Sequence, residues 1–242
     1  MTKKGKLIVL EGGDGSGKGT QLKLLQKYFQ GKDVSFFDFP QYEKSFFGKL
    51  IGRCLTGEMG DFVGLSPYLA CLPFLLDQAS AKEEIKAALE VGDVICDRYT
   101  TSSVAFQSAK SPKEKQQEVQ RFIEQAAYEE MEIPAPDLVI YLDVPVEIAG
   151  ELVMKKERRA YLNGTAGKDL HEKDTSFLEK VALVYRDLAE ERENWKTLIC
   201  LDENGELKKP ETIHQEILDI LEVLKSPHDL AERTEKQSDL SY

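Results

Sequence analysis

Short, unbroken apolar runs recur along this chain, separated by longer stretches in which apolar residues return every three or four positions. The first run, Lys6-Leu7-Ile8-Val9-Leu10-Glu11, has no polar alternation and predicts a strand buried on both faces. Lys18 to Phe29, with Leu22, Leu24, Leu25 and Tyr28 on one side, predicts the helix that follows it. Val34 to Asp38 predicts a second, shorter strand ending at Pro40, and Tyr68 to Val91 a helix interrupted at Pro73. Val94-Ile95-Cys96 predicts a third strand, Pro112 to Met131 a helix with a charged outer face, and Asp137 to Asp143 a central strand. Val146 to Arg159 and Thr175 to Trp195 continue as helices, Thr197 to Leu201 as a fifth strand, and Pro210 to about Lys225 as a last helix. Residues 226–242 are polar and predict a mobile tail. Strands alternating with helices predict one α/β domain over residues 1–225, built on a three-layer, doubly wound, five-stranded parallel sheet. In such sheets ligands bind outside the carboxyl ends of the strands, so the ends of the first three strands mark the expected site.

Composition narrows the function. The chain has 242 residues, of which 41% are hydrophobic and 31% charged, as in an ordinary globular protein rather than a disordered one. No apolar run approaches the roughly 18–20 residues that span a bilayer, which argues against a membrane protein. The N-terminal run stops at Glu11, short of the apolar stretch a signal peptide needs, so a cytoplasmic location is expected. Cys54, Cys71, Cys96 and Cys200 are scattered without a Cys-x-x-Cys pair; they read as reduced, small hydrophobes rather than zinc ligands or disulfides. A net charge of −11 argues against nucleic acid as a partner. It does not exclude a small anion, because backbone N–H groups and a few focused cations bind phosphate whatever the global charge.

Gly12-Gly13-Asp14-Gly15-Ser16-Gly17-Lys18-Gly19-Thr20 lies between the first strand and the first helix, the context of a phosphate-binding P-loop. Glycines let successive N–H groups converge on phosphate oxygens, the helix N-terminus adds partial positive charge, and Lys18 adds a full one. These residues predict ATP binding and the P-loop NTPase type of sheet. The residue after Lys18 is Gly19, where the usual motif has Ser or Thr, and Thr20 is the nearest hydroxyl. A magnesium ion would then be held through water, as Mg²⁺ readily is. Asp97, closing the third strand, is the other candidate for its water shell; an ordinary ion pair with Arg98 at a strand end is the plain alternative.

The form Gly-Lys-Gly-Thr-Gln resembles the loops of nucleoside monophosphate kinases. Further segments narrow that resemblance: Glu11-Gly12-Gly13-Asp14, Phe39-Pro40, Asp97-Arg98-Tyr99, Ser102-Ser103-Val104-Ala105-Phe106, and Asp169-Leu170-His171-Glu172-Lys173-Asp174 followed by Phe177 and Tyr185. In this order they resemble the thymidylate kinase family from about Lys6 to Leu224. The resemblance implies ATP with Mg²⁺ as donor, a pyrimidine monophosphate, dTMP first, as acceptor, and a homodimer. By position it implies Asp14 near the acceptor sugar, Arg98 on the acceptor phosphate, and Phe74 stacked on the base, although a core phenylalanine explains Phe74 nearly as well. Gln78 stands where the family usually has an arginine that bonds the base. Ser103 and Phe106 match positions facing base and sugar, with Phe106 in place of a common tyrosine. Phe39, Pro40 and Tyr42 fall near the sugar, and Gln41 replaces another frequent arginine. These departures keep open a kinase for dUMP or UMP, and a nucleotide-binding regulatory module without transfer activity.

Some members of the family carry an arginine in the P-loop directly after the aspartate; here that position is Gly15. Lys155-Lys156-Glu157-Arg158-Arg159, followed by glycines at 164 and 167, then predicts a lid over about 155–170, with Arg158 or Arg159 as the catalytic cation. A solvated basic helix end is the alternative. The helical stretches bearing Leu69, Leu72, Leu75 and Leu76, or Val104 and Phe106, are candidate dimer faces.

Overall fold

The computed structural model describes residues 4–162 and 175–224, the side chains of 155–162 excepted. The strands are β1 (Leu7–Glu11), β2 (Val34–Asp38), β3 (Asp93–Asp97), β4 (Leu138–Asp143) and β5 (Trp195–Ile199). Between and after them run α1 (Lys18–Tyr28), α2 (Phe46–Leu55), α3 (Pro67–Ala70), α4 (Leu72–Val91), α5 (Thr100–Ser108), α6 (Lys113–Glu124), α7 (Val146–Leu162), α8 (Thr175–Glu191) and α9 (Pro210–Val223). The sheet is parallel throughout, in the order β2-β3-β1-β4-β5. β1 is central, with Ile8 in register with Ile95 on one side and Leu138 on the other.

The apolar run of β1 divides between two cores at period two. Leu7 and Val9, with Val94, Cys96, Val139 and Tyr141, pack under α4, α5, α6 and α8. Ile8 and Leu10, with Ile95, Ile140 and Leu142, pack under α1 and α9. Helices therefore cover both faces, which gives the three layers expected of a strand set without polar alternation. All four cysteines are free and buried.

Several element boundaries differ from the sequence expectation. The helical stretch is interrupted as expected, but just ahead of Pro73: α3 ends at Ala70, and Pro73 sits in the first turn of α4, where its missing N–H has no intrahelical partner to lose. Residues 112–131 are not one α-helix, because after Glu124 the backbone widens into a π-helical turn, Gln125–Glu130. The fifth strand lies two residues earlier than predicted, and α8 stops at Glu191, because Trp195 is buried in the sheet while Leu201 pairs with Leu207 in an isolated bridge. Helix α2 was not foreseen. Two glycines weaken its helical signal, and Gly48 answers to space, since a β-carbon there would lie 2.1 Å from the Gln41 carbonyl oxygen. Of the candidate dimer faces, Leu75 and Val104 are core residues, whereas Leu69 and Leu76 are exposed.

Candidate active site

β1 runs out at Glu11 into a loop that turns into α1 at Lys18. Gly12, Gly15 and Gly17 have φ of 152°, 83° and 89°, conformations L side chains rarely adopt. Gly15 is also hemmed in, since a β-carbon would lie 2.2 Å from the carbonyl oxygen of Ala149 in α7. That close approach accounts for glycine at this position. The Lys18 ammonium donates to the carbonyl oxygens of Gly12 at 3.0 Å and Gly13 at 2.8 Å. Its pKa is lowered from 10.5 to about 8, by burial first and Arg98 second, against the pull of Asp97, Asp14 and Glu11. Gly19 and Thr20 occupy the first turn of α1, both exposed.

Glu11 is fully buried and gathers donors from two segments. Its Oε1 accepts from Thr101 Oγ1 at 2.6 Å and the Tyr99 N–H at 3.3 Å; its Oε2 accepts from Ser102 Oγ and Tyr185 OH, both at 2.7 Å. The sequence supplied Glu11 and Tyr185 only as letters of a motif. A carboxylate at the end of an otherwise apolar run was the available signal, since a buried charge must be paired.

Arg98 follows β3 in the left-handed region, at φ 61°. Its guanidinium donates to Asp14 Oδ1 at 2.5 Å and to Ser102 Oγ at 3.2 Å, and lies 5.3 Å from the Phe106 ring centroid. Burial alone would lower its pKa, but Asp14, Tyr185, Glu11 and Asp97 outweigh burial and push it up, so the group stays charged. Asp97, at the end of β3, faces the bare side of Gly19: a β-carbon there would lie 3.7 Å from Asp97 Oδ2.

Asp14 and Arg98 open onto a cleft enclosing about 690 Å³ of empty space, part of it open to solvent. Phe39, Pro40 and Tyr42 enter it from the loop after β2, Phe74 and Gln78 from α4, and Ser103 and Phe106 from α5. The nine residues assigned to the acceptor from sequence thus line one space. Phe74 also packs against Phe62, with ring centroids 6.1 Å apart, so the core role and the cleft position coexist. The cleft has further lining residues that sequence reasoning missed: Leu55, Asp77, Tyr99, Ser102 and Gln107. Asp77 is 1% exposed and accepts from the Gln41 N–H at 2.8 Å and from the Ser45 hydroxyl, tying the loop after β2 to α4. A carboxylate on the apolar side of a predicted helix was its only sequence signal. Arg158 and Arg159 fall within the backbone span of α7, but their side chains, and residues 163–170 of the predicted lid, lie outside the described residues, as do 171–174 and 225–242.

A profile described as "Thymidylate kinase" matches residues 10–217, most of the chain. The chain belongs to the thymidylate kinase family. A thymidylate kinase of Mycobacterium tuberculosis is 31% identical over 186 residues, 76% of this chain and 85% of its own. A probable thymidylate kinase of Methanocaldococcus jannaschii is 34% identical over 221 residues, 91% of this chain and 97% of its own. Among solved structures, the thymidylate kinase of Candida albicans superposes with a TM-score of 0.70 at 23% identity, covering 93% of this chain and 94% of that one. That likeness is one of fold. The described residues place the Gly12–Thr20 loop and the cleft side by side, meeting at Asp14 and Arg98. No described helix is long and apolar enough to cross a membrane.

Proposed function

We propose that this chain transfers the γ-phosphoryl group of ATP to dTMP, giving ADP and dTDP on the route to dTTP. The observation that carries this reading is the placement of Arg98, a half-buried and permanently charged fork at the junction of the P-loop and the cleft. Phosphoryl transfer is catalysed mainly by positioning and by cations set where charge is shared between donor and acceptor. Lys18 would leave its two loop carbonyls for the β- and γ-phosphates, while the N–H groups from Gly13 to Thr20 receive the remaining oxygens. Arg98 would exchange Asp14 for the acceptor phosphate, leaving Asp14 to take the sugar hydroxyl. Phe74 would stack on the base, with Ser103, Phe106, Tyr42, Phe39 and Pro40 enclosing base and sugar, and Gln78 would donate to the base edge.

Magnesium fits this donor set. Among the described residues no group of three His, Cys, Asp or Glu could cage an ion. Asp97 instead faces the side-chain-free Gly19, leaving space for an ion bound to nucleotide phosphates and held through water by Asp97 and Thr20. Bound there, Mg²⁺ supplies charge neutralisation on the transferred phosphoryl.

Within the same proposal, residues 1–225 act as one kinase domain, a lid at about 155–170 brings Arg158 or Arg159 to the donor and excludes water, and residues 226–242 are a tail. The protein acts in the cytoplasm as a homodimer, for which the exposed side chains of Leu69 and Leu76 are candidate contacts. The test is ADP formation with dTMP, dUMP, UMP, CMP, AMP and GMP offered separately, with Lys18→Ala as control. Turnover highest with dTMP and lost in the control is expected. Preference for dUMP or UMP would keep the mechanism and move the base specificity, and ATP binding without acceptor-dependent turnover would reject the enzyme reading.

A further inference from the structure

The glutamine in the usual arginine position creates a problem of polarity that arginine does not have. An arginine offers only donors, whereas a carboxamide exchanges a donor for an acceptor when it rotates by half a turn. Gln78 is 3% exposed, and its Oε1 accepts from the Thr100 hydroxyl at 2.8 Å. With the oxygen committed there, the NH₂ end is what Gln78 offers to the cleft it lines. Thr100 is fully buried at the start of α5, and Tyr128, from the π-helical turn, lies within its electrostatic reach. Burial, reinforced by Glu124, keeps the Tyr128 phenol protonated far above its usual range. A phenol that keeps its proton puts no negative charge beside Thr100 to draw its hydroxyl hydrogen away from Gln78 Oε1. On the same cleft wall, Gln107 is 4% exposed, and its Oε1 is buried with no partner among the described residues, an acceptor in want of a donor.

A pyrimidine with oxygens at C2 and C4 presents a carbonyl acceptor beside an N3–H donor. A 4-amino pyrimidine presents the reverse, an amino donor beside a bare N3 acceptor. The NH₂ of Gln78 with the oxygen of Gln107 complements the first edge and opposes the second. We infer that Thr100 is a specificity-determining positioning residue: by holding Gln78 Oε1 it fixes the amide polarity with which this chain accepts 4-oxo pyrimidine monophosphates and rejects 4-amino ones. The inference rests on the cleft being the acceptor site.

The test measures kcat and KM of the full chain for dTMP and for dCMP with saturating ATP. In Thr100→Val the amide is free to turn, and the dTMP:dCMP ratio of kcat/KM is expected to fall about tenfold or more, through a higher KM for dTMP and a lower one for dCMP. Thr100→Ser, which keeps the hydroxyl, should keep the ratio. Tyr128→Phe, which deletes one oxygen behind Thr100, should lower the ratio in the same direction by a smaller factor, and it serves if Thr100→Val does not fold. A merely structural role would weaken both substrates alike and leave the ratio unmoved. Gln78→Leu separates the two levels of failure. If it collapses the ratio while Thr100→Val and Tyr128→Phe do not, the inference alone is overturned; if it leaves the ratio intact, Gln78 does not touch the base and the inference falls with that contact, while absence of turnover with any acceptor in the wild type would overturn the kinase reading itself. A wild-type chain that uses dTMP and dCMP equally would also overturn the inference.

Discussion

Lys18 is a charge held where solvation is poor, and its two obligations oppose one another. The displacement of its pKa from 10.5 to about 8 corresponds to roughly 3 kcal/mol against the ammonium in the folded, unliganded chain. Below pH 8 folded and unfolded chains both hold the proton, and the full penalty is present. Between about 8 and 10.5 the unfolded chain binds more protons, so the penalty is relieved as the pH rises. Lys18→Met should therefore stabilise the unliganded protein at pH 7 by about 1–2 kcal/mol in urea unfolding while abolishing turnover. In the wild type, kcat/KM for ATP, which reports the free enzyme, should fall as the pH passes about 8. A flat profile to pH 10 would show that the ammonium is not what the donor meets. Gly15 sets a second residue-scale expectation, since Gly15→Ala combines positive φ with collision against Ala149. It should cost about 1–3 kcal/mol of stability and raise KM for ATP, read by urea titration and by initial rates. Lys18 was legible from its motif, and its depressed pKa was not, because its causes, burial first and then the proximity of Arg98 eighty residues away in the chain, are set by the fold.

At the scale of elements, Glu11 stitches β1 to the start of α5 and to α8. Glu11→Gln keeps the shape but removes the carboxylate charge that faces Lys18 and Arg98, and places an NH₂ where hydroxyls now donate. A loss of about 3–5 kcal/mol is expected, with kcat/KM for dTMP falling as Arg98 loses its orientation through Ser102. Tyr185→Phe, which removes one donor of the four, should cost only about 1–2 kcal/mol; equal effects from the two variants would contradict the hub. Elements announced by continuous apolar runs were legible almost to the residue, β2 exactly so at Val34–Asp38. Elements shaped by a neighbour were not. Helix α2 hides behind Gly48, whose glycine serves a close approach to Gln41, and β5 shifted because Trp195 found a buried place in the sheet. Period-based reading registers a segment's own pattern and is blind to the contact that overrides it.

For the whole molecule, the sheet order puts β1 between β3 and β4, so the P-loop leaves the end of one strand and Arg98 the end of its neighbour. The two substrates should then bind to separable parts of one framework. ATP or dTMP at a hundred times its dissociation constant should each add about 2.7 kcal/mol to the unfolding free energy, and Lys18→Met should lose the ATP increment while keeping that of dTMP. Loss of both increments would mean that the two sites are not separable. The cleft as a set was legible because resemblance carried residues over one by one. Asp77, Ser102 and Gln107 were missed because their importance lies in what they touch, not in their type or spacing. The crowding at Gly15 has a historical consequence. Any residue with a β-carbon there strikes the Ala149 carbonyl, so an arginine cannot be reached by a single tolerated substitution without first moving α7. This lineage has inherited a closed door, and selection for a better cation supply can act only on other segments of the chain.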